Sequence, residues 1–338
     1  MDGRLRDDEV VVGGDARQRY YDSSGYGRPL GGQKVALSRV EAAYLLFKGD
    51  LESVSGMGFR EFLASEELVT RFLVYADLRD RGFYLSPDRE GWVSAPRSNS
   101  DLVVYPRGKG PWDDEVLYRI RVVGERADVP ADQLGDVVLA VVDEESEITY
   151  LETERADVRG SSTTDLPSSV PADLLGDRAL VWDPPAELHD RAFYGQPLAD
   201  RDADDPRALQ LSLVEAAHLA DEGVLELDPT AARDRGRDAE GERFARRLRV
   251  YRALREREVV PKTGFKFGAD FRTYADVESV DDLGHSECLV RVLALGHDFE
   301  PRDLALDVRL AHGVRKRMVF ALTDGERVEW LGVSRLTP

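Results

Sequence analysis

Apolar residues recur at spacings of four, three and three in two segments far apart in the chain. They are Leu68, Phe72, Tyr75 and Leu78, and then Phe244, Leu248, Tyr251 and Leu254. This spacing keeps each set on one face of a helix of period near ~3.6, so it predicts two helices with eight core positions. Upstream of each lies a second matched pattern, ALSRVEAAYLLFKGDLE from Ala36 and QLSLVEAAHLADEGVLE from Gln210. A short strand signal (Lys34–Leu37; Leu209–Leu211) runs into a serine, Ser38 or Ser212, with glutamate three residues on. That is a capping box opening a helix, and Gly49 or Gly223 stands where a glycine would close it. Towards the C-terminus, CLVRVLAL and RMVFAL are β-rich apolar runs, and FKFGADFRTY alternates aromatics at Phe265 and Phe267. Between them DLALDVRLAHGVRK reads as a helix of two to three turns, and EWLGVSRL closes the chain as a strand. Mixed strands with helices on their faces predict an α/β (α+β) layered fold.

The matches extend along the whole chain. SGYGRPL (Ser24–Leu30) returns as AFYGQPL (Ala192–Leu198), LVTRFLVYADLRDRGF as FARRLRVYRALREREV, and LYRIRVVGERADVP as LVRVLALGHDFEP. The order is kept, which marks a tandem duplication. Each copy has a small N-terminal α/β part followed by a mixed-sheet part. The expected division is a frayed tail at 1–23, a first copy at 24–152 and a linker at 153–173 rich in Ser, Thr, Asp and Pro. The N-terminal part of the second copy follows at 174–243, with its second part at 244–338.

The copies differ where chemistry would reside. Aligned on LYRI and LVRV, His285 falls opposite Asp113. The segment carrying Arg309 and Lys316 is about ten residues shorter in the first copy. DLVVY (101–105) resembles DFRTY (270–274), so a phenol is retained there. Core positions survive while the imidazole and the ammonium do not. This pattern points to one active copy and one kept for architecture.

Composition changes the picture in three ways. The 338 residues hold no apolar run near the ~20 residues of a membrane helix, and the N-terminus is charged, so a soluble cytoplasmic protein is expected. Cys288 is the only cysteine, which excludes an internal disulfide, and its place in CLVRVL reads as a buried small hydrophobe. The net charge is −19, and Lys34, Lys48, Lys109, Lys262, Lys266 and Lys316 are all the lysines. An acidic, lysine-poor surface suits a high-salt cytoplasm. In dilute buffer such a charge argues against a nucleic-acid partner. At ~1 M salt, with a Debye length of ~3 Å, it does not. Scarcity also singles out Lys316 in VRKR, where a compact point charge stands among arginines.

Tyr274, His285 and Lys316 form a candidate constellation. Imidazole is the best general acid or base near neutral pH. An ammonium can hold charge developing on phosphoryl oxygens, and a phenol can exchange a proton if a cation lies nearby. Together they suit attack of a ribose 2′-hydroxyl on its own 3′-phosphate, which requires no metal. No HExxH, CxxC or DxDxDG pattern occurs, so neither metal nor other cofactor is expected. Each residue also has a plainer reading: a strand-end aromatic, a hydrogen-bonding group at a strand start, a solvated helix lysine. His189, His218, His297 and His312 read as structural or surface residues. Arg309 and Lys316, seven apart, would share one helix face about two turns apart.

At these residues the chain resembles a known family. GFKFGADFRTY, HSECLVRV and RLAHGVRK closely resemble the catalytic domain of archaeal tRNA-splicing endonucleases. The duplication with a defective first copy is similar to their two-repeat, homodimeric type, over about residues 24–338. The resemblance implies cleavage of precursor tRNA at both intron junctions, at bulge–helix–bulge motifs, leaving a 2′,3′-cyclic phosphate and a 5′-hydroxyl. It implies Tyr274 as general base, His285 as general acid and Lys316 as transition-state stabiliser. Arg309 matches an arginine that clamps a bulged base, with Arg335 or Arg327 as its partner. Asp143, Glu144, Glu145 and Glu147, in DEESE, match an acidic loop that docks into a basic pocket of another unit; a charged hairpin turn is the plainer reading. Two active copies in a dimer would suit two cleavage sites. The rival reading is a non-catalytic RNA-binding or scaffold protein.

Overall fold

The computed structural model describes residues 1–66, 68–198 and 207–338. The chain divides into two compact units. One is 1–154 with 298–305 and 335–338; the other is 155–297 with 306–334.

Each unit opens with a five-stranded sheet of the same strand order. In the first the order is Arg28–Gly31, Lys34–Ser38, Glu9–Val12, Asp2–Arg6, Ser53–Val54. In the second it is Gln196–Pro197, Ala208–Ser212, Arg178–Trp182, Val170–Leu175, Leu225–Glu226. Both capping boxes form: Ser38 Oγ accepts from Glu41 N while the Glu41 carboxylate accepts from Ser38 N, and Ser212 and Glu215 repeat the arrangement. Gly49 closes the first helix at φ 77°, a left-handed conformation that glycine adopts without penalty.

Two expected boundaries are corrected. Residues 1–23 are not a frayed tail. Asp2–Arg6 and Glu9–Val12 pair as a hairpin inside the sheet, with Val10 and Val12 fully buried and Tyr20 packed behind them. The charged letters around Asp7 and Asp8 are a tight turn, not a solvated end. The linker is also shorter than 153–173, because Val170–Leu175 already pairs with Arg178–Trp182. Its alternation of Val170, Ala172 and Leu174 is masked by flanking Ser, Pro and Asp.

The second part of each unit is again five strands. The first unit has Leu85–Pro87, Leu102–Val104, Tyr118–Gly124, Val137–Val142 and Ile148–Arg155 in sequential order. The second has Val260–Thr263, Phe271–Tyr274, Cys288–Ala294, Arg317–Thr323 and Val328–Leu336. Helices Val69–Asp80 and Glu242–Glu256 supply the predicted core residues except Leu68, which caps the first of them, and all are buried. Each sheet contains one parallel pair, which needs a long crossover. Cys288–Ala294 reaches Arg317–Thr323 through the helix Pro301–Gly313. The matching pair in the first unit is joined by residues 125–136, a shorter crossover with the 3-10 turn Ala131–Gln133 in place of the helix, which is where its missing residues would lie.

Phe265 and Phe267 do not alternate along a strand. They sit on a 3-10 turn between Val260–Thr263 and Phe271–Tyr274, with Phe265 86% exposed. Gly264 and Gly268 force this turn: a Cβ at Gly264 would lie 2.8 Å from the Ala269 carbonyl, and Gly268 has φ 69°. Among the described residues no helix is long and apolar enough to cross a membrane.

Candidate active site

Three neighbouring strands of the second unit end in one row. Thr273 lies opposite Cys288, and Cys288 opposite Arg317. One residue beyond that row come Tyr274, Glu287 and Lys316. Glu287 N donates to the Thr273 carbonyl at 2.9 Å and Arg317 N to the Glu287 carbonyl at 3.0 Å. With strands ~4.8 Å apart, the Cα atoms of Tyr274 and Lys316 are about 10 Å from each other. Lys316 turns back along the row, and its Nζ donates to the Ser286 carbonyl at 2.5 Å. Ser286 follows His285, so the ammonium is tied to the peptide beside the imidazole. His285 itself is exposed on the loop leading into Cys288.

Packing fixes the phenol and weakens the lysine's hold on its proton. The Tyr274 ring meets Phe193 edge-on at 5.6 Å and joins a small cluster with Val260, Val277, Val280 and Leu283. The Arg272 guanidinium stands 5.8 Å from the centre of the Tyr274 ring. Burial pushes the Lys316 ammonium below its ordinary value, and the charge of Arg272 adds to this while Cys288 opposes it. Phe267 lies 5.7 Å from the same ammonium. Cys288 is buried, and burial raises its thiol, so it is an inert core residue.

The other predicted residues are dispersed. The helix Pro301–Gly313 ends before Lys316, Arg315 takes a left-handed φ of 56°, and Lys316 N caps onto the Ala311 carbonyl at 2.9 Å. Arg309 and Lys316 therefore do not share a helix face; Arg309 is exposed on the helix and Lys316 stands at the strand entrance. Arg327 occupies the turn after Arg317–Thr323, about 20 Å along the strand from Lys316, paired with Asp324 at 3.6 Å and Glu329 at 3.7 Å. The strand Val328–Leu336 returns antiparallel with Val333 opposite Met318, and Arg335 follows two residues later, exposed. DEESE is a hairpin turn between Val137–Val142 and Ile148–Arg155. Asp143 Oδ1 accepts from Glu145 N and Glu147 N, both at 2.9 Å, and the side chains of Glu144, Glu145 and Glu147 face solvent. Arg126 pairs with Glu144.

The first copy keeps the frame and lacks the chemistry. Asp101 and Asp270 make the same bonds: Asp101 N to the Ile120 carbonyl and Val122 N to the Asp101 carboxylate, against Asp270 N to Val290 and Val292 N to Asp270. Counting on from that anchor sets Val103 against Arg272 and Tyr105 against Tyr274. Tyr105 is buried, its hydroxyl 3.0 Å from Ser86 Oγ. Asp113, matched to His285, accepts from Gly110 N in its own turn.

Sequence reasoning missed a basic cavity of about 460 Å³ in the second unit, lined in part by Arg178, Arg247, Lys262, Lys266 and Arg272. Lys262, Lys266 and Arg272, in PKTGFKFGADFR, were its only visible signal; Arg178 and Arg247 come from distant segments. Among the described residues no group of three or more His, Cys, Asp or Glu could hold a metal ion.

Residues 244–330 match the family model described as tRNA intron endonuclease, catalytic C-terminal domain. Residues 1–63 and 170–234 each match its N-terminal domain, beginning at the two corrected boundaries. A tRNA-splicing endonuclease of Natronomonas pharaonis is 63% identical over 100% of both chains, and one of Haloferax volcanii 59% identical over 100% of both. One from Methanosarcina mazei is 36% identical over 98% of each chain.

Proposed function

The chain belongs to the tRNA intron endonuclease family, and we propose that its second copy cuts precursor tRNA at intron junctions with Tyr274, His285 and Lys316. Tyr274 takes the proton from a ribose 2′-hydroxyl, whose oxygen attacks the adjacent phosphorus. The 2′-oxygen–phosphorus bond forms as the 5′-oxygen–phosphorus bond breaks. His285 gives a proton to the departing 5′-oxygen, and Lys316 holds the charge on the non-bridging oxygens. The products are a 2′,3′-cyclic phosphate and a 5′-hydroxyl, at bulge–helix–bulge junctions and without a metal. The observation that carries this reading is the shared strand-end row, with the Lys316 ammonium bonded to the peptide next to His285. Arg309 and Arg335 are the pair we assign to the bulged base, by guanidinium stacking. Arg327 is set aside because acidic partners already hold it at the far end of its strand.

The working form is a homodimer in the cytoplasm, the module 244–338 of each chain being active and each first copy architectural. Charge complementarity supports seating the Asp143–Glu147 hairpin of one copy in the basic cavity of the other. A comparable concavity in the first unit is lined by Arg39, Arg71 and Arg89 but also by Asp8, Asp88 and Asp101, which pair with arginines. It has little charge left to offer a second hairpin. A strongly acidic enzyme meeting RNA is reconciled by salt, and the haloarchaeal relatives fit that setting.

The test is cleavage of an intron-containing precursor tRNA in ~2 M KCl with a chelator. Discrete fragments with cyclic-phosphate ends are expected. His285→Ala is expected to abolish them while RNA binding and dimer mass persist. Full activity in that variant would refute the assignment of His285, and no fragments from the wild type would favour the scaffold reading.

A further inference from the structure

Among the described residues Arg272 has no ion-pair partner. Along Phe271–Tyr274 the buried residues are Phe271 and Thr273, so Arg272 and Tyr274 share the opposite face. No carboxylate among the described residues pairs with the Arg272 guanidinium, and its Nε is shielded from solvent with no hydrogen-bond partner. Lys262 lies opposite it in the sheet and Lys316 is a second cation near it, while Glu287, the carboxylate of the strand-end row, makes no ion pair with it. Lys262 is already committed, donating to Glu215 Oε1 at 3.0 Å and to the carbonyls of Phe193 and Gly195. A half-buried guanidinium with no carboxylate partner is a ready site for an anion.

The first copy ties this arginine to the catalytic groups. Arg247 of the cavity forms an ion pair with Asp270, and Arg71 at the matching position forms one with Asp101, so that structural cation survives in both copies. At the Arg272 position the first copy has Val103, fully buried. The arginine is absent from the copy that lacks the imidazole and the lysine, whereas the cation shared with the cavity is kept.

We propose that Arg272 binds a phosphate of the RNA substrate neighbouring the one attacked, fixing the strand between Tyr274 and Lys316. Its planar fork suits two non-bridging oxygens at once. The proposal rests on the endonuclease reading above and adds a substrate-contacting residue to it.

The experiment compares Arg272→Met, which keeps the stem's packing, with Arg272→Lys, using a bulge–helix–bulge RNA over a range of KCl. Affinity is measured in the His285→Ala background, rate in single-turnover cleavage, and assembly by light scattering. Arg272→Met should weaken binding by roughly 10-fold to 100-fold. It should also flatten the plot of log affinity against log salt by about 0.7–0.9, the share of one phosphate. Arg272→Lys should restore the slope and part of the affinity, with dimer mass unchanged in both. An unaltered affinity and slope in Arg272→Met, beside a wild type that cuts, would overturn the proposal and leave the endonuclease reading intact. Loss of the dimer with undiminished RNA affinity would also overturn it, by giving the guanidinium to the acidic hairpin. A wild type that neither binds nor cuts the RNA would overturn both.

Discussion

Lys262→Met would expose the energetics under the active strand, because the same chain holds a natural comparison. Glu215 is buried and accepts from Gly195 N at 3.0 Å, Ser212 N at 3.0 Å, Ser212 Oγ at 2.9 Å and Lys262 Nζ at 3.0 Å. Burial pushes its carboxyl up, but Lys262 and the Ser212 and Gly195 amides outweigh that and hold it at about 2. Glu41 in the first copy has the matching Gly27, Ser38 N and Ser38 Oγ bonds and no lysine, and burial there pushes the carboxyl up. A fall from 4.5 to about 2 is worth about 3 kcal/mol at neutral pH. The Ser212 and Gly195 amides stay in Lys262→Met, and stranding a buried charge by removing its partner costs roughly 3–5 kcal/mol.

The sign follows from the depressed carboxyl. Its contribution is complete above the unfolded value near ~4.3 and disappears as pH falls towards the folded value of about 2. Lys262→Met should therefore lose about 3 kcal/mol at pH 7, and progressively less as pH falls through the raised value of the stranded carboxyl towards the wild-type value of about 2. Hydrogen exchange at the Gly195 and Ser212 amides, read in ~2 M KCl at several pH values, measures this in the second unit alone. Adding Glu215→Gln should recover part of the loss. A cost under ~1 kcal/mol at pH 7, or one that does not change with pH, would refute the reasoning.

Other consequences are simpler to test. Gly236→Ala should destabilise by roughly 1–3 kcal/mol, because its Cβ would stand 2.2 Å from the Phe244 ring; the usual helix gain of ~1 kcal/mol would be visible as a raised melting temperature if the ring could move. Native Cys288 should resist a thiol reagent at pH 8 and react only on unfolding, since burial raises its thiol; rapid labelling of the folded chain would contradict this. Melting temperature should climb between ~0.1 M and ~2 M KCl as repulsion within a chain of net charge −19 is screened, and a flat curve would count against a high-salt adaptation.

How much of this was legible in the sequence depends on the range of the forces involved. The helix faces through Tyr75 and Tyr251 and the boxes at Ser38 and Ser212 are set by neighbours within four residues, and they fold as their pattern predicts. Lys316 left its helix because Arg315 turns left-handed, which a bulky side chain seldom signals. Phe265 left its strand because two glycines permit a tighter turn than alternation implies. The hairpin at residues 2–12 was hidden because charge was read as disorder, although EVVV carries the strand. Arg272 could be placed on the face of Tyr274 by alternation alone. Its lack of an ion-pair partner shows only in the folded sheet, which brings Lys262 and Lys316 near it.

The divergence of the two copies is more than deletion. Counting from Leu78 and Leu254, the residues that close the core face of the matched helices, Ser86 stands where the second copy has Lys262. Lys262 fills the space under Phe193 with its stem and points its ammonium at Glu215, so Tyr274 packs against Phe193 at the sheet's end. With a serine there, Tyr105 turns its hydroxyl inward to Ser86 Oγ and is lost from the surface. A phenol bonded in a core cannot reach a ribose, so restoring His and Lys to the first copy would not by itself recreate a site. The buried pair of the second copy thus does two things at once: it neutralises Glu215, and it leaves Tyr274 at the end of its strand where a substrate could meet it.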